Sequence, residues 1–63
     1  MKLFEVTTNN GIIFLNPKYI SYIKEVEGRK DGNIFIRMND CETYFYGIEC
    51  FKDFLKRLEI FEE

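Results

Sequence analysis

The stretch Ile12-Ile13-Phe14-Leu15-Asn16-Pro17-Lys18-Tyr19-Ile20-Ser21-Tyr22-Ile23 decides how this chain folds. Two apolar runs meet at Asn16-Pro17 with almost nothing between them. Proline lacks a backbone N–H, fixes its own φ and drives the preceding residue into an extended conformation. Ile12–Leu15 therefore reads as a strand, Asn16-Pro17-Lys18 as a tight corner and Tyr19–Val26 as the next strand. The rest of the chain reads as cover for this pair.

Toward the N-terminus, residues 2–8 mix aliphatic, aromatic and threonine side chains with no helix breaker, the composition of a strand. Asn9-Asn10-Gly11 follows, and Asn-Gly is a strong hairpin signal because both residues tolerate positive φ. The first two strands are thus expected to form an antiparallel hairpin. Ile12–Leu15 is apolar at every position, which predicts burial on both faces by sheet and helix or by a neighbouring subunit.

Toward the C-terminus, Tyr19–Val26 carries apolar residues in both phases of a strand, and a bulge between Ile20 and Ile23 would bring both isoleucines inside. Glu27-Gly28-Arg29-Lys30-Asp31-Gly32 is a charged turn expected in solvent. Asn33–Asn39 alternates, with Ile34, Ile36 and Met38 on one face and Phe35 and Arg37 on the other. Asn39-Asp40 opens another turn. Glu42–Tyr46 then places Tyr44 and Tyr46 on one face and Thr43 and Phe45 on the other. A helix from about Ile48 to Leu58 or slightly beyond presents Phe51, Phe54, Leu55 and Leu58 as one apolar stripe. Asp53 and Arg57 on its outer side have the spacing of an ion pair. Ile60 and Phe61 lie past its expected end, Glu62-Glu63 is expected to fray, and no capping side chain precedes the helix. Residues 1–63 form a single α+β domain: a small, strongly bent antiparallel meander of five short strands, partly open and barrel-like, with one C-terminal amphipathic helix packed on it.

A chain of 63 residues buries only roughly 60% of the surface its unfolded form exposes. It carries seven Phe and four Tyr, and each ring buries on the order of 150–250 Å². So small a core cannot hide them all, and an exposed apolar patch marks an interface. Self-association through sheet edges follows, a dimer first, together with contacts to an unidentified protein partner. Nine Lys and Arg against eleven Asp and Glu leave a net charge of −2, which opposes nucleic-acid binding by the chain as a whole. No apolar run is long enough to cross a bilayer and no signal peptide is visible, so a cytoplasmic protein without membrane contact is expected.

The chemistry-bearing residues are sparse. Histidine is absent, removing the commonest general base and transition-metal ligand. Cys41 and Cys50 have no paired spacing and read as reduced thiols acting as small hydrophobes, with Cys50 buried beside Phe51. Ser21 has no base to activate it, and Gly11, Gly28, Gly32 and Gly47 read as turn residues, not a phosphate loop. Glu25, Glu27 and Asp31 lack calcium-loop spacing and read as a solvated turn. No catalytic, cofactor-binding or metal-ligating residue is assigned, and a non-enzymatic binding or assembly module is expected. Its candidate interface is Tyr19, Tyr22, Phe35, Arg37, Tyr44 and Tyr46, because Tyr and Arg are enriched at subunit boundaries. The same face, with Lys18 and Lys24, also fits base stacking by a nucleic-acid-binding regulator. The net charge ranks the protein interface first.

The segment Asn16-Pro17-Lys18-Tyr19-Ile20-Ser21-Tyr22-Ile23-Lys24-Glu25 resembles the Asn-Pro-x-x-Ile-x-x-Ile-x-x segment of the FlbD family of small flagellar proteins. Asn10-Gly11 matches that family's first turn, Ile34–Asn39 its later strand and Cys50–Leu58 its helix, a likeness running over residues 4–58. Against the family pattern, the strand before Asn16 is a residue shorter, Asn39-Asp40-Cys41 replaces Asn-Gly, and Cys50 stands where a serine cap is usual. The resemblance implies the same order of hairpin, corner, strands and helix, and a flagellar role. A looser similarity joins these strands to LytTR-type DNA-binding domains, whose basic loops this chain lacks.

Overall fold

Strand β1 (Phe4–Thr8) turns back on β2 (Gly11–Leu15), with Thr8 opposite Gly11 at the tip of the hairpin. The computed structural model describes residues 2–62. The hairpin forms as expected, but its corner is Asn9-Asn10, and only Gly11 adopts positive φ, at +123°. This is a turn that ends in a glycine conformation, so the freedom of Gly11 and not of the preceding asparagine closes it. The Thr8 hydroxyl donates to the Gly11 carbonyl at 2.6 Å and accepts from the Asn10 N–H at 3.2 Å.

The proline corner is a short 3-10 turn over Pro17–Tyr19, capped by the Asn16 side chain, which accepts from the Lys18 N–H at 3.0 Å. Then come β3 (Ile20–Glu25), β4 (Ile34–Met38), β5 (Tyr44–Gly47) and helix α1 (Phe51–Glu62). Pairing of β3 with β4 skips a residue between Ile20 and Tyr22, so Ser21 is bulged and both Ile20 and Ile23 pack against the core.

The strands form one antiparallel sheet in the order β2-β1-β5-β4-β3. From β3 to β5 the chain meanders, and the first hairpin joins through β1 and β5. That join is short: Thr8 pairs with Gly47, the Ile48 N–H donates to the Thr7 carbonyl at 2.7 Å, and the Thr7 N–H donates to the Glu49 carboxylate at 3.0 Å. β2 and β3 are both edges, and the sheet stays open between them.

Phe4, Val6, Leu15, Ile34, Ile36 and Phe54 form the buried core. The Phe4 ring meets Phe54 edge-on at 5.6 Å and Phe61 at 5.3 Å. The helix starts later than expected and runs a turn further, so its buried stripe is Phe51, Phe54, Leu58 and Phe61, while Leu55 is 41% exposed. One helix on a small sheet touches only a narrow strip, and Leu55, four residues after Phe51, falls beside it. Of the Glu62-Glu63 pair expected to fray, Glu62 is helical and Glu63 lies outside the described residues.

Three further expectations are corrected. Arg57 pairs with Glu49, at 2.5 Å, and not with Asp53; it also donates to the Glu5 carbonyl and lies over the Phe4 ring. Glu49 wins because it is already fixed: its N–H donates to the Asn33 side chain, which in turn donates to the Glu49 carbonyl at 2.6 Å. This Asn33 clasp holds the approach to α1 where the sequence offers no capping residue. Cys41 and Cys50 are both free and exposed, not buried hydrophobes, because Cys50 precedes the helix and Cys41 sits in a tight turn at φ +64°. The charged turn is only partly solvated, since Gly32 is buried. Among the described residues, no helix is long and apolar enough to cross a membrane.

Candidate interaction surfaces

Register dictates what shares the face of the sheet away from the core. Tyr22 stands opposite Arg37 and Arg37 opposite Tyr44, while Lys24 stands opposite Phe35 and Phe35 opposite Tyr46. Two rows result, ring–cation–ring and cation–ring–ring. Phe35 lies at the centre, its ring 5.9 Å from Tyr22, 5.8 Å from Tyr44 and 5.3 Å from Tyr46. Those neighbours bury it, while Tyr22 and Tyr44 remain 47% and 52% exposed. The Arg37 guanidinium lies 5.4 Å from the Phe35 ring and 5.6 Å from the Tyr44 ring, and donates to the Cys41 carbonyl. From the β3–β4 loop, Arg29 sits 3.9 Å over Tyr46 and grips Asp31 with two hydrogen bonds of 2.9 and 2.7 Å. Those bonds hold the Asp31 carboxyl below its ordinary value.

Of the six expected interface residues, Tyr22, Phe35, Arg37, Tyr44 and Tyr46 therefore converge on one face. Tyr19 stands apart at the end of the 3-10 turn, where it lines an open groove of about 610 Å³ with Leu15, Met38 and Phe45. Arg29 joins the face from a loop, where no periodicity in the sequence reveals which way a side chain turns.

The second surface is the free edge of β2. Thr7 directs its N–H and C=O toward Ile48 and Glu49, so by alternation Val6 and Thr8 direct theirs toward β2. Val6 pairs with Ile13 and Thr8 with Gly11, which leaves the backbone groups of Ile12 and Phe14 facing outward. Their side chains are 56% and 60% exposed. Burial of β2 by sheet and helix is therefore not what the chain does: the sheet does not close, and among the described residues nothing covers the outer side of this strand, which leaves a neighbouring subunit as the expected cover. β2 contains no charge, no proline and no bulge, whereas the other edge, β3, has Lys24, Glu25 and the Ser21 bulge. Charges and bulges are how natural edges resist pairing, and β2 has none of them.

Between β4 and β5, the Asp40 carboxylate accepts from the Glu42 N–H at 2.9 Å, the Thr43 N–H at 2.8 Å and the Thr43 hydroxyl at 2.5 Å. The Thr43 hydroxyl and these backbone donors favour the charged form and bring its pKa down from 3.8 to about 2. A depressed carboxylate stabilises the fold above its unfolded value, so this contribution is complete above pH 3.8 and is lost as pH falls toward 2. In a carboxyl-carbon NMR titration, Asp40 is expected to titrate with a midpoint of about 2, and Thr43→Val is expected to move that midpoint up toward 3.8.

These features define a small α+β domain whose exposed chemistry is concentrated on an uncharged strand edge and an aromatic, cation-bearing sheet face. Comparisons with known protein families, with curated proteins and with solved structures find no match to this chain.

Proposed function

We propose that this chain is a non-enzymatic assembly module that pairs with a second copy of itself along β2. The free edge of that strand, with the exposed side chains and outward backbone groups of Ile12 and Phe14, carries the reading. A two-fold axis at Ile13 places Ile12 opposite Phe14 of the copy, and Phe14 opposite its Ile12. Each outward N–H and C=O then gains a partner, and an aromatic ring meets a β-branched side chain twice, a favourable cross-strand pair. The strand contains no charge, so no like charges are brought together. Pairing of β2 with β3 of a copy would leave an edge free at each end and propagate, whereas β2 with β2 closes as a dimer. The aromatic face remains open for a different partner. The absence of histidine from the sequence supports the non-enzymatic assignment. The reading rests on the edge and not on the likeness to FlbD proteins.

Light scattering is expected to give twice the 7.6 kDa chain mass at high concentration. Phe14→Lys, which places an edge-blocking charge on an exposed site, is expected to give the single-chain mass with an unchanged circular dichroism spectrum. Hydrogen exchange is expected to show Ile12 and Phe14 amides protected in the wild type and open in the variant. A wild-type monomer at millimolar concentration would end the proposal.

A further inference from the structure

We infer that the Tyr22–Arg37–Tyr44 row and the cup beside it form a binding site for single-stranded nucleic acid. The cup has a volume of about 430 Å³; its floor includes Tyr22, Phe35 and Tyr46, its cations are Lys24, Arg29 and Arg37, and among the described residues no carboxylate lines it. Three cations thus gather on one face of a chain whose net charge is −2. The overall balance, which argues against nucleic acid, does not describe this face. Asp31, the neighbouring carboxylate, is engaged by Arg29, which leaves Lys24 and Arg37 to meet an anion.

Charge alone would fit any acidic partner, and the rings narrow the choice. Tyr22 and Tyr44, each about half exposed, flank Arg37 in direct register across the three strands. A base stacked on each tyrosine places the linking phosphate over the arginine between them, and every base has a π-face to offer. An acidic peptide supplies the charge but no ring at that spacing. A duplex hides its bases in its own stack, and this face carries neither a helix nor a protruding ribbon to enter a groove. Arg37 is already held by the Cys41 carbonyl and lies near both Phe35 and Tyr44, so little ordering remains for binding to accomplish. The face lies on β3, β4 and β5, away from the β2 edge, so it is usable in monomer and dimer alike.

The test is fluorescence anisotropy with a labelled oligothymidylate of about twelve nucleotides, at roughly 20 mM salt and then at increasing salt. Saturable binding is expected, with log K falling against log salt at a slope of about −1.4, the value for two phosphate contacts on a single strand. Tyr22→Ala and Tyr44→Ala are each expected to weaken binding about tenfold, with unchanged circular dichroism and unchanged particle mass. Tyr44→Phe keeps the ring and is expected to keep the affinity. No binding at low salt overturns the inference. So does binding that ignores both tyrosine substitutions, or a strand displaced equally well by polyglutamate, since either result reduces the site to charge alone.

Discussion

Phe54→Ala is expected to remove the cooperative thermal transition of this protein at and above room temperature. Phe54 is fully buried and packs edge-on against Phe4 in the cluster with Val6, Leu15, Ile34 and Ile36. Truncating a buried phenylalanine costs about 3–5 kcal/mol, transfer and cavity together. A core of this size supplies about 3–5 kcal/mol in all. The two quantities match, so the variant is left with no margin. Relaxation cannot fill the gap easily, because the residues around Phe54 sit in paired strands. Leu55→Ala on the same helix is the control: Leu55 is 41% exposed, and its loss is expected to cost less than about 1 kcal/mol. Melting followed by circular dichroism separates the two. A Phe54→Ala transition within a few degrees of wild type would show that α1 does not hold the sheet.

The contrast between those neighbouring residues shows where a sequence stops being informative. The proline corner is legible because its cause is local: Pro17 and the Asn16 cap act within three residues. The Ser21 bulge is legible because Ile20 and Ile23 conflict in phase, and only an extra residue reconciles them. The paired rings of the outer face follow from alternation in β4 and β5 once those strands are placed. What could not be read depends on distant partners. An apolar run such as Ile12–Leu15 announces that it will be covered without naming by what, and a free edge has the same composition as a buried strand. The seam between β1 and β5 is anchored at Gly47, which has no side chain to advertise it. Arg57 has Asp53 at ideal local spacing yet selects Glu49, because Thr7 and Asn33 have already fixed that residue in place. No glycine or asparagine stop marks the end of the helix, so the sequence does not show the role of Phe61 against Phe4.

Gly32→Ala carries the same lesson into an experiment. Gly32 has the sequence surroundings of a solvent turn, but a Cβ built there would lie 2.7 Å from the Tyr46 Cβ, 3.0 Å from the Gly47 carbonyl oxygen and 3.2 Å from the Tyr46 carbonyl carbon. None of these is the free end of a flexible side chain. Tyr46 and Gly47 are held in the ladder opposite Phe35 and Ile34, and the Gly47 carbonyl accepts from the Asn33 N–H. The loop or the strand must therefore give way, and overpacking of this kind costs about 1–3 kcal/mol. For a domain of this size that lowers the melting temperature by on the order of 10 °C. Gly28→Ala isolates the other reason for a glycine: at φ +81° it is torsionally demanding but has nothing within 4 Å, so its smaller cost, about 1 kcal/mol, comes from the backbone alone. Gly32→Ala also pushes on Tyr46, the ring beneath Arg29, so its Tyr46 ring resonances are expected to shift while those of Gly28→Ala stay in place. If Gly32→Ala melts with the wild type and leaves Tyr46 unmoved, the loop stands off β5, and the wall it gives the aromatic cup is not there.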